Sequence, residues 1–136
     1  MIGLDTNVVV RFLTQDDPVQ GPESQALIAG LTEAAPGFIA REVMIETVWV
    51  LERAYGLPRN RIARTLEGLL GAQDLVVEAA ERVALALDRY RKGGAGFSDQ
   101  MIALAAEAAG CRDTVTFDRK AAAHPGMRLI GDAADH

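Results

Sequence analysis

Short apolar runs alternate with amphipathic helical segments along this chain, and no other feature narrows its fold as much. MIGLD and GFIA read as strands, LVVE as a strand or an extended connection, and DTVTF and MRLI as the last two strands. Between them stand VVVRFL, PESQALIAGLTEA, REVMIETVWVLERAYG, PRNRIARTLEGLLG, AERVALALDRYRK, SDQMIALAAEAAG and DRKAAA, which read as helices. Short apolar strands joined by helices imply an α/β fold, a parallel sheet with helices on both faces. Turn residues set the expected limits. Pro22 opens the second helix, which runs to Ala34, and Gly56 ends the third. Ser98 is expected to cap the sixth helix and Gly110 to close it, with GGAG as a flexible break before it. The 136 residues suit one domain spanning 1–136, and 49% hydrophobic with 24% charged residues is a globular composition.

The same chain excludes several classes of function. No apolar run approaches the roughly 18 residues of a membrane span, and no basic leader precedes an apolar core, so a cytoplasmic location is expected. The single cysteine, Cys111, rules out an internal disulfide framework. There is no G-x-S-x-G, no G-x-x-x-x-G-K-[ST] and no G-x-G-x-x-G, and neither His124 nor His136 stands in a recognisable triad. A net charge of −5 argues against general nucleic-acid binding, because affinity for phosphate rests on Lys and Arg. Distribution softens that argument, since 12 of the 14 bases are arginine. Arg59, Arg61 and Arg64 form one cluster and Arg89, Arg91 and Lys92 another, both read as solvated helix faces.

The acids occupy the informative places. In a parallel α/β sheet, sites form beyond the strand ends, at a topological switch point. Asp5 ends the strand in IGLDTN, Asp118 ends the strand in TVTFD, and Asp99 lies in the first helical turn of GFSDQMI. Glu46 is the odd charge in the apolar stretch VMIETVWVL, either on a solvated stripe with Glu42 and Arg53 or beside a cation. Singly, Asp5 and Asp118 can cap helices and Asp99 can complement a helix dipole. Jointly, if their strands are neighbours, they converge, and unit charges 4 Å apart repel by about 4 kcal/mol at an effective dielectric of 20. A divalent cation removes that cost. All-oxygen donors suit Mg²⁺ or Mn²⁺ better than Zn²⁺.

IGLDTN, the acid of VMIETVWVL, GFSDQMI and TVTFDRKAA, taken in order, resemble the PIN-domain ribonucleases, and especially their VapC-type toxins. The likeness extends from Met1 to about Ile130. It implies a three-layer α/β/α sandwich around a central parallel sheet. It also implies a Mg²⁺- or Mn²⁺-dependent endoribonuclease acting as the toxin of a type II toxin–antitoxin pair. RNA is then the substrate and a small cognate antitoxin the partner. A homodimer is also expected, and apolar helices such as VMIETVWVL and RIARTLEGLL leave room for interfaces. Asp5, Glu46, Asp99 and Asp118 fall on the family's catalytic and metal-binding acids, and Thr6, Asn7 and Thr116 on polar positions supporting them. Arg11 and Arg119 are the bases nearest those acids in sequence and candidates to position the RNA backbone. Gly96 departs from the pattern, since many relatives carry an acid there. Rival readings fit less well. A receiver module wants two adjacent acids after strand one, whereas Asp16 and Asp17 follow the first helix. An aspartyl phosphatase wants an aspartate where Asn7 stands. A non-catalytic PIN-like domain that only binds a partner is the remaining alternative.

Overall fold

The computed structural model describes residues 1–132. His136 lies outside them. Strand β1 (Ile2–Gly3) leads into helix α1 (Thr6–Thr14), then α2 (Gln20–Ala29), β2 (Gly37–Ile39), α3 (Arg41–Arg53) and α4 (Arg59–Leu70). β3 (Leu75–Val77), α5 (Ala80–Arg91), α6 (Phe97–Ala108), β4 (Thr114–Thr116), α7 (Arg119–Ala122) and β5 (Met127–Leu129) complete the order. LVV, which the sequence leaves open, is a strand, and MRL is the last strand as expected.

All the strand pairings are parallel, as the alternation requires. β2 is central, with Ile2 opposite Gly37 on one side and Gly37 opposite Leu75 on the other. β4 and β5 form a separate two-stranded ladder, with Thr114 opposite Met127 and Thr116 opposite Leu129. The parallel sheet therefore comes in two pieces. β1 is only two residues long and spends its amides on the chain around β2, with Ile2 N–H donating to Pro36 and Leu4 N–H to Phe38.

Helices pack around this frame, α1 against α2 and α3, and α5 between α4 and α6. One continuous core joins Leu4, Val9, Ile39, Met44, Leu51, Ile62, Leu66, Leu87, Tyr90 and Phe97. A second, smaller cluster of Ala95, Ala103, Ala121 and Met127 ties the β4–β5 unit to α6. Helix α3 shows how the periodicity works: Val43, Met44, Thr47, Val48 and Leu51 are buried along one face, and Glu46 and Trp49 face outward. Gly37 sits in tight packing, since a Cβ there would lie 2.9 Å from Leu31 Cδ1 and 3.0 Å from Leu4 Cδ1 and push those leucine tips aside. Among the described residues, no helix is long and apolar enough to cross a membrane.

Three helix limits differ from the sequence expectation. α2 begins at Gln20 with Val19 as N-cap, so Pro22 lies inside its first turn and does not open it. α2 stops at Ala29 with Gly30 as its C-cap, and Thr32 and Ala35 instead exchange backbone hydrogen bonds in a tight turn. α6 starts at Phe97 with Gly96 as N-cap, where Ser98 was expected. Burial decides that start. Phe97 is buried and meets the Tyr90 ring edge to face, with centroids 6.0 Å apart. Its far end follows the expectation: Gly110 adopts φ +93°, its N–H donates to Glu107, and Cys111 N–H donates to Ala106.

Candidate functional site

β1 ends where α1 begins, and that junction brings two of the expected acids together. Asp5 keeps extended backbone and caps α1, its Oδ1 accepting the Thr6 N–H at 2.9 Å. Thr6 is buried, and its hydroxyl donates to Glu46 Oε1 at 2.8 Å. One residue thus serves two carboxylates, through its amide and through its hydroxyl. Glu46 lies on the exposed edge of α3, the solvated place that was one of its two expected settings, and its carboxylate is engaged there by the Thr6 hydroxyl from 40 residues away.

Asp99 is half-buried in the first turn of α6, where its Oδ2 accepts the Gly96 N–H at 3.2 Å. Gly96, Phe97 and Ser98 line the same groove as Glu46, Trp49 and Arg53, a space of about 460 Å³. The first turn of α6 and the Glu46 side of α3 therefore share one cleft. Gly96 matters here because a Cβ would stand 3.5 Å from Asp99 Oδ2. A carboxylate in its place would set like charge beside Asp99, and glycine removes it.

Asp118 caps α7, its Oδ1 accepting the N–H groups of Lys120 at 2.8 Å and Ala121 at 3.3 Å. Thr116 supports it, the hydroxyl accepting the Asp118 N–H at 3.0 Å. Convergence of Asp5 with Asp118 depended on β1 and β4 being neighbours, and these strands lie in different sheets. Among the described residues, no three His, Cys, Asp or Glu side chains stand close enough to hold a metal ion. Asn7 is exposed and faces a different groove, between α1 and α2, with Arg11, Gln20 and Glu23. Arg11 is engaged there, donating to Gln20 Oε1 at 2.9 Å and lying 3.6 Å from Asp16. Arg119 is exposed beside Asp118.

A Mg²⁺ ion commonly takes one or two carboxylates from a protein and fills its remaining positions with water and substrate phosphate. The Thr6-linked pair of Asp5 and Glu46 has that chemistry. It offers hard oxygen donors and neither the thiolate nor the imidazole that Zn²⁺ prefers.

Several residues of the neighbourhood escaped the sequence reading. Tyr90 is fully buried and donates its hydroxyl to Glu52 at 2.7 Å, and burial with that carboxylate holds its phenol above the usual range. Arg59, read as part of a solvated arginine cluster, is half-buried and bonds three backbone carbonyls. The signal for Arg59 lay in the glycine-rich break itself, whose carbonyls have no helix or strand to satisfy them.

The family pattern of the PIN domain matches residues 2–126. The chain is 27% identical over 117 residues to a VapC ribonuclease of Aquifex aeolicus (strain VF5), covering 86% of this chain and 87% of that protein. A crystal structure of Mycobacterium tuberculosis VapC20, a sarcin–ricin loop cleaving toxin, superposes with a TM-score of 0.46 at 20% identity. It covers 90% of this chain and 94% of that one.

Proposed function

This chain belongs to the PIN-domain family, and on that premise we propose that it is a metal-dependent endoribonuclease, the toxin of a type II toxin–antitoxin pair. The observation that carries the reading is the Thr6-bridged pair of Asp5 and Glu46 at the end of β1, beside the cleft where the helix of Asp99 begins. The likeness to a VapC ribonuclease supports it.

Asp5 and Glu46 are the pair that would hold Mg²⁺ or Mn²⁺, with Asp99 joining from the first turn of α6; Asp118, at the end of β4 in the other sheet, enters the set on the family resemblance alone. Such an ion, when bound, lowers the pKa of a water and offsets charge on the phosphodiester. The chain's own part is positioning and proton transfer. The Thr6 hydroxyl holds one oxygen of Glu46, which leaves the other to accept a proton from the attacking water. Arg119 meets the RNA backbone from beside Asp118. No side-chain nucleophile is needed. The partner is a small antitoxin that sets a basic side chain against the acids, and the pair acts in the cytoplasm with the toxin as a homodimer.

The test is incubation of the purified protein with total cellular RNA and Mn²⁺ or Mg²⁺, with and without EDTA, and mapping of the cut ends. Cleavage that EDTA abolishes supports the nuclease. Metal-loaded, folded protein that leaves RNA intact would favour the partner-binding domain.

Thr6→Val isolates the bridge. The two side chains have nearly the same shape, and the amide bond to Asp5 survives. Loss of one hydrogen bond is expected to cost about 1 kcal/mol of stability. Mn²⁺ affinity and cleavage should each fall about 10- to 100-fold, as for other partners that orient metal ligands. Titration calorimetry and a cleavage assay check both. Wild-type values for the two together would remove Thr6 from the site.

A further inference from the structure

The glycine-rich loop between α5 and α6 has little conformational preference of its own. Gly93 and Gly94 adopt φ of +94° and +86°, and such residues lose much backbone freedom when held in one state. One side chain from α4 makes three bonds to it and its flanks. Arg59 Nη1 donates to the carbonyls of Tyr90 and Ala95, both at 3.0 Å, and Nη2 donates to Gly94 at 2.9 Å. The guanidinium is itself seated 4.7 Å over the centroid of the Tyr90 ring. From the other side, His124 Nε2 lies 3.3 Å from the Gly93 carbonyl, with the buried Gln100 against the same imidazole.

Only one of these bonds, to Tyr90, serves the end of α5. The other two go to residues beyond it. The Ala95 carbonyl and the Gly96 N–H are opposite ends of one planar peptide unit, so fixing one direction fixes the other. Arg59 binds that carbonyl, and that N–H donates to Asp99 Oδ2 at 3.2 Å. A cation on the carbonyl also polarises the unit and strengthens its N–H as a donor.

We propose that Arg59 is a positioning residue that sets the Asp99 carboxylate through the Ala95–Gly96 peptide. It acts at a distance from any reacting atom and rests on the nuclease reading above. The planar fork is what the site demands. A lysine ammonium is a point charge on a flexible stem and does not reproduce three carbonyl bonds in fixed directions.

The experiment uses the full chain with Arg59→Lys and Arg59→Met, and Ile28→Val in α2 as a control that loosens the core away from the loop. Three quantities are read: Mn²⁺ affinity by titration calorimetry, kcat and KM for RNA cleavage, and amide hydrogen exchange at Gly96. Both Arg59 variants should bind Mn²⁺ about 10- to 100-fold more weakly and lose a similar factor in kcat, with KM little changed. The Gly96 amide should exchange about tenfold faster in both, the protection of one hydrogen bond. Ile28→Val should leave all three readings as in the parent. Arg59→Lys with parental Mn²⁺ affinity and kcat would overturn the proposal, as would equal losses in the control. A parent chain that neither binds Mn²⁺ nor cuts RNA would defeat the nuclease reading instead. The Gly96 exchange rate then still judges Arg59, and an unchanged rate in the variants overturns its hold on Asp99.

Discussion

Asp99→Asn is expected to abolish nearly all metal-dependent RNA cleavage while leaving the protein folded. Asp99 has a structural duty, since its Oδ2 accepts the Gly96 N–H at the start of α6. An asparagine carbonyl oxygen accepts the same bond, and losing a negative charge in the first helical turn costs only about 0.3–1 kcal/mol. What the substitution removes is the negative charge in the first turn of α6, the turn whose Gly96, Phe97 and Ser98 share a cleft with Glu46. Loss of one preorganised electrostatic group at a reacting centre typically costs on the order of 10²- to 10³-fold in kcat. Added Mn²⁺ should raise the melting temperature of the parent by mass action and that of the variant much less. Cleavage rates, with melting curves taken with and without Mn²⁺, measure both halves. Cleavage at the parental rate by pure Asp99→Asn protein would reduce Asp99 to a helix cap and sink its part in the metal site.

Leu66→Ala should do the reverse, weakening the fold and sparing the chemistry. Leu66 is fully buried in α4 and belongs to the same core as Ile62, Leu69, Leu87 and Tyr90. Truncation removes apolar contacts and leaves a cavity that interior packing closes only in part, a loss of about 2–5 kcal/mol. At roughly 4 °C per kcal/mol for a chain of this size, the melting temperature should drop by about 8–20 °C. Activity per folded molecule, measured well below that temperature, should match the parent. A drop under about 3 °C would show that the site collapses around the truncation or is less tightly packed than its burial implies.

The two substitutions separate what the chain announces locally from what it assembles. Strands such as GFI and helices such as α3 were legible because their signal lies in neighbouring residues: a short apolar run between turn residues, or an apolar face that repeats every 3.6 residues, whatever the rest of the chain does. The caps were legible for the same reason. Asp5 and Asp118 bond amides one to three residues away, and Gly110 supplies its own left-handed turn. Even in local matters, tertiary packing won once, when burial of Phe97 against Tyr90 moved the start of α6 to Gly96.

Everything that joins these pieces lay beyond the reach of local pattern. The four acids were visible as residues, but only the fold pairs Glu46 with Thr6 across 40 positions of sequence. Only the fold decides that β4 pairs with β5 and not with β1, which sets Asp118 in a different sheet from Asp5. Arg59 makes the point most plainly. Its helix marks it as one of three surface arginines, while its partners, Tyr90, Gly94 and Ala95, lie 31 to 36 residues ahead. Nothing in the spacing of charges encodes that meeting. It follows from the packing of α4 against α5, which carries the unsatisfied carbonyls of a glycine loop within reach of one guanidinium. Sequence by itself determined the elements, their parallel order and the acids at their ends. Which of those acids meet, and what holds them, was decided by contacts that exist only once the core has closed.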